Sequence, residues 1–133
     1  MQKVNVIEYS EKSIAVRVEP DTTEQMILEA GGMFAPILKR NGSYQAGYIF
    51  SKAKHSEVAK EVATKVNYEL VDYSEKSVAI FGELSQMQLE MIKLKGLYNR
   101  GLTDSTGARF AGWIFAKSKS EKVIGTLKDV TKS

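Results

Sequence analysis

Five residues, Tyr9-Ser10-Glu11-Lys12-Ser13, recur without change as Tyr73-Ser74-Glu75-Lys76-Ser77, 64 positions further on. A second match, looser in letters and tighter in chemistry, sets Gly47-Tyr48-Ile49-Phe50-Ser51-Lys52 against Gly112-Trp113-Ile114-Phe115-Ala116-Lys117. A chain that repeats itself at this spacing must fold as two similar units, so the expected architecture is a tandem duplication with its boundary near Asn67.

Within each copy the hydrophobic period changes in a regular order. Residues 3–9 and 13–19 alternate apolar and polar types (Val4, Val6; Ile14, Val16, Val18), the period of half-buried strands, and the polar link Ser10-Glu11-Lys12 between them has hairpin length. Asp21 with Glu24, and Ser85 with Gln88, have capping-box spacing, which places helix starts there. The apolar stripes expected on these helices are Met26, Ile27 and Ala30, then Leu89, Ile92 and Leu94, with Gly32 and Gly96 as helix stops. Polar turns at 40–43 and 103–107 predict a second hairpin whose return strands are 44–51 and 109–116. A closing helix follows each, about 56–66 with Val58, Val62 and Val66, and about 120–130 with Val123, Leu127 and Val130; Ser118 with Glu121 has capping-box spacing. The fold class is therefore α+β: two tandem ββαββα repeats, 1–66 and 67–133, packed as one compact body about a pseudo-twofold axis.

The glycine-closed helix, short aromatic segment, polar turn and Gly-aromatic-Ile-Phe-x-Lys strand resemble a small repeat of uncharacterised phage, large-DNA-virus and mobile-element proteins. The resemblance covers residues 22–54 and 86–119 and is closest at Gly112-Trp113-Ile114-Phe115 and Lys117. The first copy departs from it at Tyr48, where tryptophan is commonest, and at Ala35, where the second copy has the more typical Asn99. The resemblance implies a viral or mobile-element origin.

With 133 residues, 43% of them apolar and 26% charged, the chain has the material for a packed core. It contains no cysteine, which removes disulfides and thiolate metal sites, and no run approaches the length of a membrane span. The start of the chain enters a strand pattern directly, without the apolar run of a signal peptide, so the expected location is cytoplasmic. The net charge of +3 is mild, and the basic and acidic residues are spread over both halves. A polyanion is thus permitted as a partner, without either half being a basic arm.

No constellation for catalysis emerges. His55 is the single histidine, without a partnered nucleophile, and reads as a solvated residue; the carboxylates are scattered, and Gly31-Gly32 follows a helix where a phosphate loop precedes one. The expectation is a non-enzymatic protein without a cofactor or metal. Aromatic and basic residues share the second hairpins, a combination that suits single-stranded nucleic acid. Candidate contacts are Lys39, Arg40, Tyr44, Lys52, Lys54, Arg100, Arg109, Lys117 and Lys119. Period-two alternation puts Tyr48 with Phe50, and Trp113 with Phe115, on the core side, leaving the lysines as rim. The leading expectation is a nucleic-acid-binding accessory protein, for single strands or duplex backbone. A protein-interaction module, such as a phage-type inhibitor or assembly factor, is the alternative, as is a protein sequestering a small nucleotide near Arg100, Arg109 and tyrosines.

Overall fold

The computed structural model describes residues 4–104 and 106–131. Strands β1 (Val4–Glu8) and β2 (Ser13–Val18) precede helix α1 (Thr22–Glu29), strands β3 (Met33–Arg40) and β4 (Ser43–Ser51), and helix α2 (Lys52–Val66). Strands β5 (Glu69–Asp72) and β6 (Ser77–Phe81), helix α3 (Gln86–Lys93), strands β7 (Leu97–Thr103) and β8 (Arg109–Ala116), and helix α4 (Ser120–Thr131) follow in the same order. The described residues form an α+β fold, with two four-stranded antiparallel sheets and four helices.

The pairing of these strands crosses the chain. One sheet runs β3-β4-β6-β5 and the other β7-β8-β2-β1, so β4 and β8 each pair with a hairpin from the far half of the sequence. The compact units are accordingly Pro20–Glu83, and the residues up to Glu19 together with those from Leu84 onward. The position near Asn67 marked by the sequence lies inside the first of these, where Asn67 itself takes φ 60° to turn from α2 into β5.

In the unit Pro20–Glu83, Phe34, Tyr48, Phe50 and Ile80 are buried on the helix side with Ile27, Ala59 and Val62; in the other unit Ile14, Val16, Trp113 and Phe115 are buried with Met87, Met91, Val123 and Leu127. Alternation along β4 and β8 therefore assigns the aromatics to the core as their period requires. The helix faces differ from the expected stripes by a small rotation. Val58, Leu89 and Ile92 are exposed, whereas Ala59, Ala63, Met87 and Met91 are buried. Alanines on the sheet side of α2 leave room for close approach, and the flexible methionines of α3 are buried in the core. The side chain of Val130 lies outside the described residues, as does Ser105.

The opposite face of each sheet is covered by the sheet's own hairpin. Register shifts between Ala35 and Leu38, and between Asn99 and Leu102, put a bulge in β3 and in β7. Beyond the bulge the hairpin bends over the sheet: Leu38 packs on Ala79 and Phe81, and the Lys39 backbone N–H donates to the Tyr73 hydroxyl at 3.1 Å. In the other unit Leu102 packs with Ala15 and Phe110. The bend needs glycine in the partner strand, where backbones approach closely. A Cβ on Gly47 would stand 2.8 Å from the Ile80 carbonyl oxygen, and one on Gly112 2.8 Å from that of Val16.

Helix ends differ from the sequence reading in detail. Gly31, not Gly32, takes the left-handed conformation (φ 101°), and in the matched position Lys95 does so (φ 62°). Gly32 and Gly96 are required for another reason: a Cβ there would lie 2.6 Å from Cζ of Phe50 and of Phe115. The turn before α4 is a 3-10 turn, Lys117–Lys119, capped at Ala116 without a side-chain bond, so Ser118 does not start the helix.

Candidate functional site

The capping boxes lead directly to the most unusual side-chain arrangement. Asp21 accepts from the Glu24 backbone N–H at 2.8 Å and Ser85 from that of Gln88 at 3.2 Å, as the spacing predicts. The Glu24 carboxyl and the Gln88 amide then turn inward, toward the sheet. The Tyr48 hydroxyl donates to Glu24, and the Trp113 indole N–H donates to Gln88 Oε1 at 2.8 Å. Among the described residues Glu24 and Gln88, 6% and 4% exposed, are the buried polar residues. A carboxylate receives a hydroxyl donor, and an amide oxygen receives an indole, which can only donate. Burial first, and then the Glu24 charge, pushes the Tyr48 hydroxyl far above its ordinary range. These pairs hold helix to sheet. They explain why Tyr48 and Trp113 cannot serve as exposed stacking surfaces.

Three of the candidate cations, Lys52, Lys117 and Arg40, are engaged by acidic neighbours. Lys52 pairs with Asp72, and Lys117 with Glu8 at 2.7 Å, an ion pair that holds the Glu8 carboxyl below its ordinary range. In both cases the backbone N–H of the lysine also donates to the neighbouring hairpin, to the Lys76 and Lys12 carbonyls. Arg40 lies half-buried over the Phe81 ring, 4.6 Å from its centroid, with Glu69 at 2.7 Å. Lys52, Lys117 and Arg40 thus secure strands to one another. Lys54 is exposed in the first turn of α2, and Lys119 in the turn before α4.

Lys39 and Tyr44 face each other in register on the outside of the bent β3–β4 hairpin, and Tyr44 is 70% exposed. Thr103 and Arg109 occupy the matched pair on β7–β8, where Arg109 is exposed, and Arg100 is exposed in the adjoining bulge. Leu38 on β3–β4, and Leu102 and Phe110 on β7–β8, pack inward, and alternation places Lys39, Tyr44, Thr103 and Arg109 on the other side of the hairpins. At the β7–β8 turn, Asp104 accepts from Thr106 and Ala108, bonds that hold its carboxyl below the ordinary range and stiffen the loop beside Arg109.

His55, expected in solvent, is instead half-buried at a break in α2 (φ −133°, ψ 19°), with its ring packed on Gly31; a Cβ on Gly31 would stand 2.7 Å from the ring. Its Nδ1 has no hydrogen-bond partner among the described residues. A groove of about 210 Å³ between α1 and α2, lined by Met26, Ala30, Val58 and Val62 with Glu29, Glu61 and Lys65, borders none of the candidate residues. Among the described residues no group of three or more His, Asp or Glu side chains could hold a metal ion, and no helix is long and apolar enough to cross a membrane.

No family model matches the chain, and neither a curated protein nor a solved structure matches it.

Proposed function

We propose that this is a non-enzymatic nucleic-acid-binding accessory protein of viral or mobile-element origin, acting in the cytoplasm and built by duplication of one ββαββα repeat. A single strand meets the outward side of a bent hairpin: on β3–β4 Tyr44 stacks on a base and Lys39 meets a phosphate, and on β7–β8 Arg100 and Arg109 meet phosphates. The observation that carries this reading is the Tyr44–Lys39 pair, an aromatic ring 70% exposed directly across from a cation on a hairpin whose other side is packed. Burying such a ring on a base is worth about 1 to 3 kcal/mol, and a cation beside it adds the phosphate contact. Lys52 and Lys117 contribute less, because Asp72 and Glu8 already compensate them.

A salt titration of binding to a fluorescent single-stranded oligonucleotide tests the reading. Each phosphate neutralised adds about −0.7 to the log–log slope, so replacing Lys39, Arg100 and Arg109 by glutamine lowers its magnitude by roughly 2. Tyr44→Ala weakens binding at every salt concentration and leaves the slope unchanged. Absence of binding by the wild-type protein at low salt removes the proposal.

A protein-interaction role is favoured by a different observation. Met33, Ile37 and Leu97 are 49%, 66% and 70% exposed along β3 and β7, the outer strands of their sheets. Such strands offer unpaired backbone groups to an added strand of a partner protein.

A further inference from the structure

The unit containing Trp113 is assembled from two pieces of chain that connect only through the other unit. Hairpin β1–β2 supplies Ile14, Ala15 and Val16, each at most 5% exposed, and its strand β2 pairs with β8 from Ser13–Ala116 to Val16–Trp113. It also supplies Glu8 for the Lys117 ion pair and the Lys12 carbonyl for the Lys117 N–H. Everything else in that unit begins at Leu84. The hairpin leaves through Glu19-Pro20-Asp21 before α1 begins. Proline keeps Glu19 out of the helical region. Asp21 is itself extended (φ −76°, ψ −178°), so the connection runs on as open chain rather than as a tight turn.

We infer that the edge of β8 covered by β2 is an acceptor for the β1–β2 hairpin of a second copy of this chain, giving a dimer in which the hairpins are exchanged. Every contact inside the unit is then the same as in the monomer. The balance between the two forms rests on the concentration of second copies against the effective concentration of the tethered hairpin. In the sheet β3-β4-β6-β5 the hairpin β5–β6 is instead joined to α2 by the closed turn at Asn67, where the Asn67 and Tyr68 N–H groups bond back to Thr64 and Ala63, with no open connection to let it exchange.

The absence of cysteine makes the inference testable by cross-linking in the full chain. The Lys117 N–H bonds to the Lys12 carbonyl, so the next pair along, Ser13–Ala116, is the close, non-hydrogen-bonded kind that accepts a disulfide. Ser13→Cys/Ala116→Cys protein is unfolded, refolded and oxidised at about 1 mM, the range of tethered effective concentrations, and at roughly a thousandth of it. The expected product is a disulfide-linked dimer with native circular dichroism at the high concentration and a cross-linked monomer at the low one. Ser51→Cys/Ser77→Cys, the matched pair on β4 and β6, is expected to give cross-linked monomer at both. A mixture of singly substituted Ser13→Cys and Ala116→Cys chains removes dependence on the double variant, since a disulfide joining positions 13 and 116, identified by peptide mass, can then form only across copies. Monomeric cross-links alone at both concentrations, or no disulfide between these positions in the mixture, would overturn the inference.

Discussion

Tyr48→Phe isolates the buried contact between helix α1 and strand β4. The substitution removes one oxygen atom and leaves the ring, which is 2% exposed and 5.3 Å from the Phe34 ring centroid, in place. What is lost is a hydroxyl donor to a carboxyl group that is itself 6% exposed. Hydrogen bonds to charged groups contribute about 1.5 to 3 kcal/mol, and the remaining carboxyl stays desolvated, so a loss of about 2 kcal/mol is expected. Over a chain of this length that is roughly 7 °C in midpoint temperature. Glu24→Gln should cost about 1 kcal/mol or less, because an amide oxygen can still accept, as Gln88 does from Trp113. Urea denaturation followed by circular dichroism reads both variants, with the Trp113 fluorescence as a second signal. A Tyr48→Phe midpoint within error of wild type, with an unchanged denaturant slope, would refute the claim that this contact joins helix to sheet.

Trp113→Ala should lose about 3 to 5 kcal/mol, seen as a collapse of thermal stability, since it empties a core site and removes the indole donor to Gln88. Lys95→Gly should stabilise by about 1 kcal/mol in denaturant titration, because a left-handed backbone strains any residue with a Cβ. Lys95 holds φ 62° at the end of α3, where glycine is unstrained. Stability should also fall at alkaline pH. Burial, followed by the nearby Asp21 and Glu24 charges, pushes the Tyr68 hydroxyl from 10.0 up to about 12. The folded state then keeps a proton that the unfolded state releases. Stability from this group is intact below pH 10 and is lost as pH rises toward 12. Tyr48, raised further from the same ordinary value, acts in the same direction from pH 10 upward. Thermal midpoints measured across this range for wild type and Tyr68→Phe check the sign.

Local structure is legible in the sequence because its causes are local. Alternation in β2, β4 and β8, the caps at Asp21 and Ser85, and the turn at Asn41-Gly42 each follow from a few neighbouring residues. The partner of each hairpin is not legible. Nothing in residues 13–16 distinguishes pairing with β4 from pairing with β8, since Tyr48 and Trp113 offer similar surfaces. Inward rotation of Glu24 and Gln88 is hidden for a related reason: capping-box spacing accounts for these residues on helix grounds alone, while their actual partners lie 24 and 25 positions away. Setting residues 24 and 48 beside residues 88 and 113 held the available signal, for Glu24 goes with Tyr48 and Gln88 with Trp113. As for the candidate site, the sequence places aromatic and basic residues on the hairpins, but charge counting cannot separate Lys52 and Lys117 from Lys39 and Arg109. That separation depends on Asp72 and Glu8, which reach the lysines only once the strands are paired.

The nucleic-acid interface we propose is the outward sides of the two hairpins, and chemical-shift mapping during titration with a single-stranded oligonucleotide examines them directly. The largest amide shifts are expected at Lys39, Tyr44, Arg100 and Arg109, while the Trp113 indole N–H, held by Gln88 in the core, keeps its position. Shifts confined to the groove between α1 and α2 or to the turns carrying Lys54 and Lys119, or no shifts at low salt, would contradict this assignment.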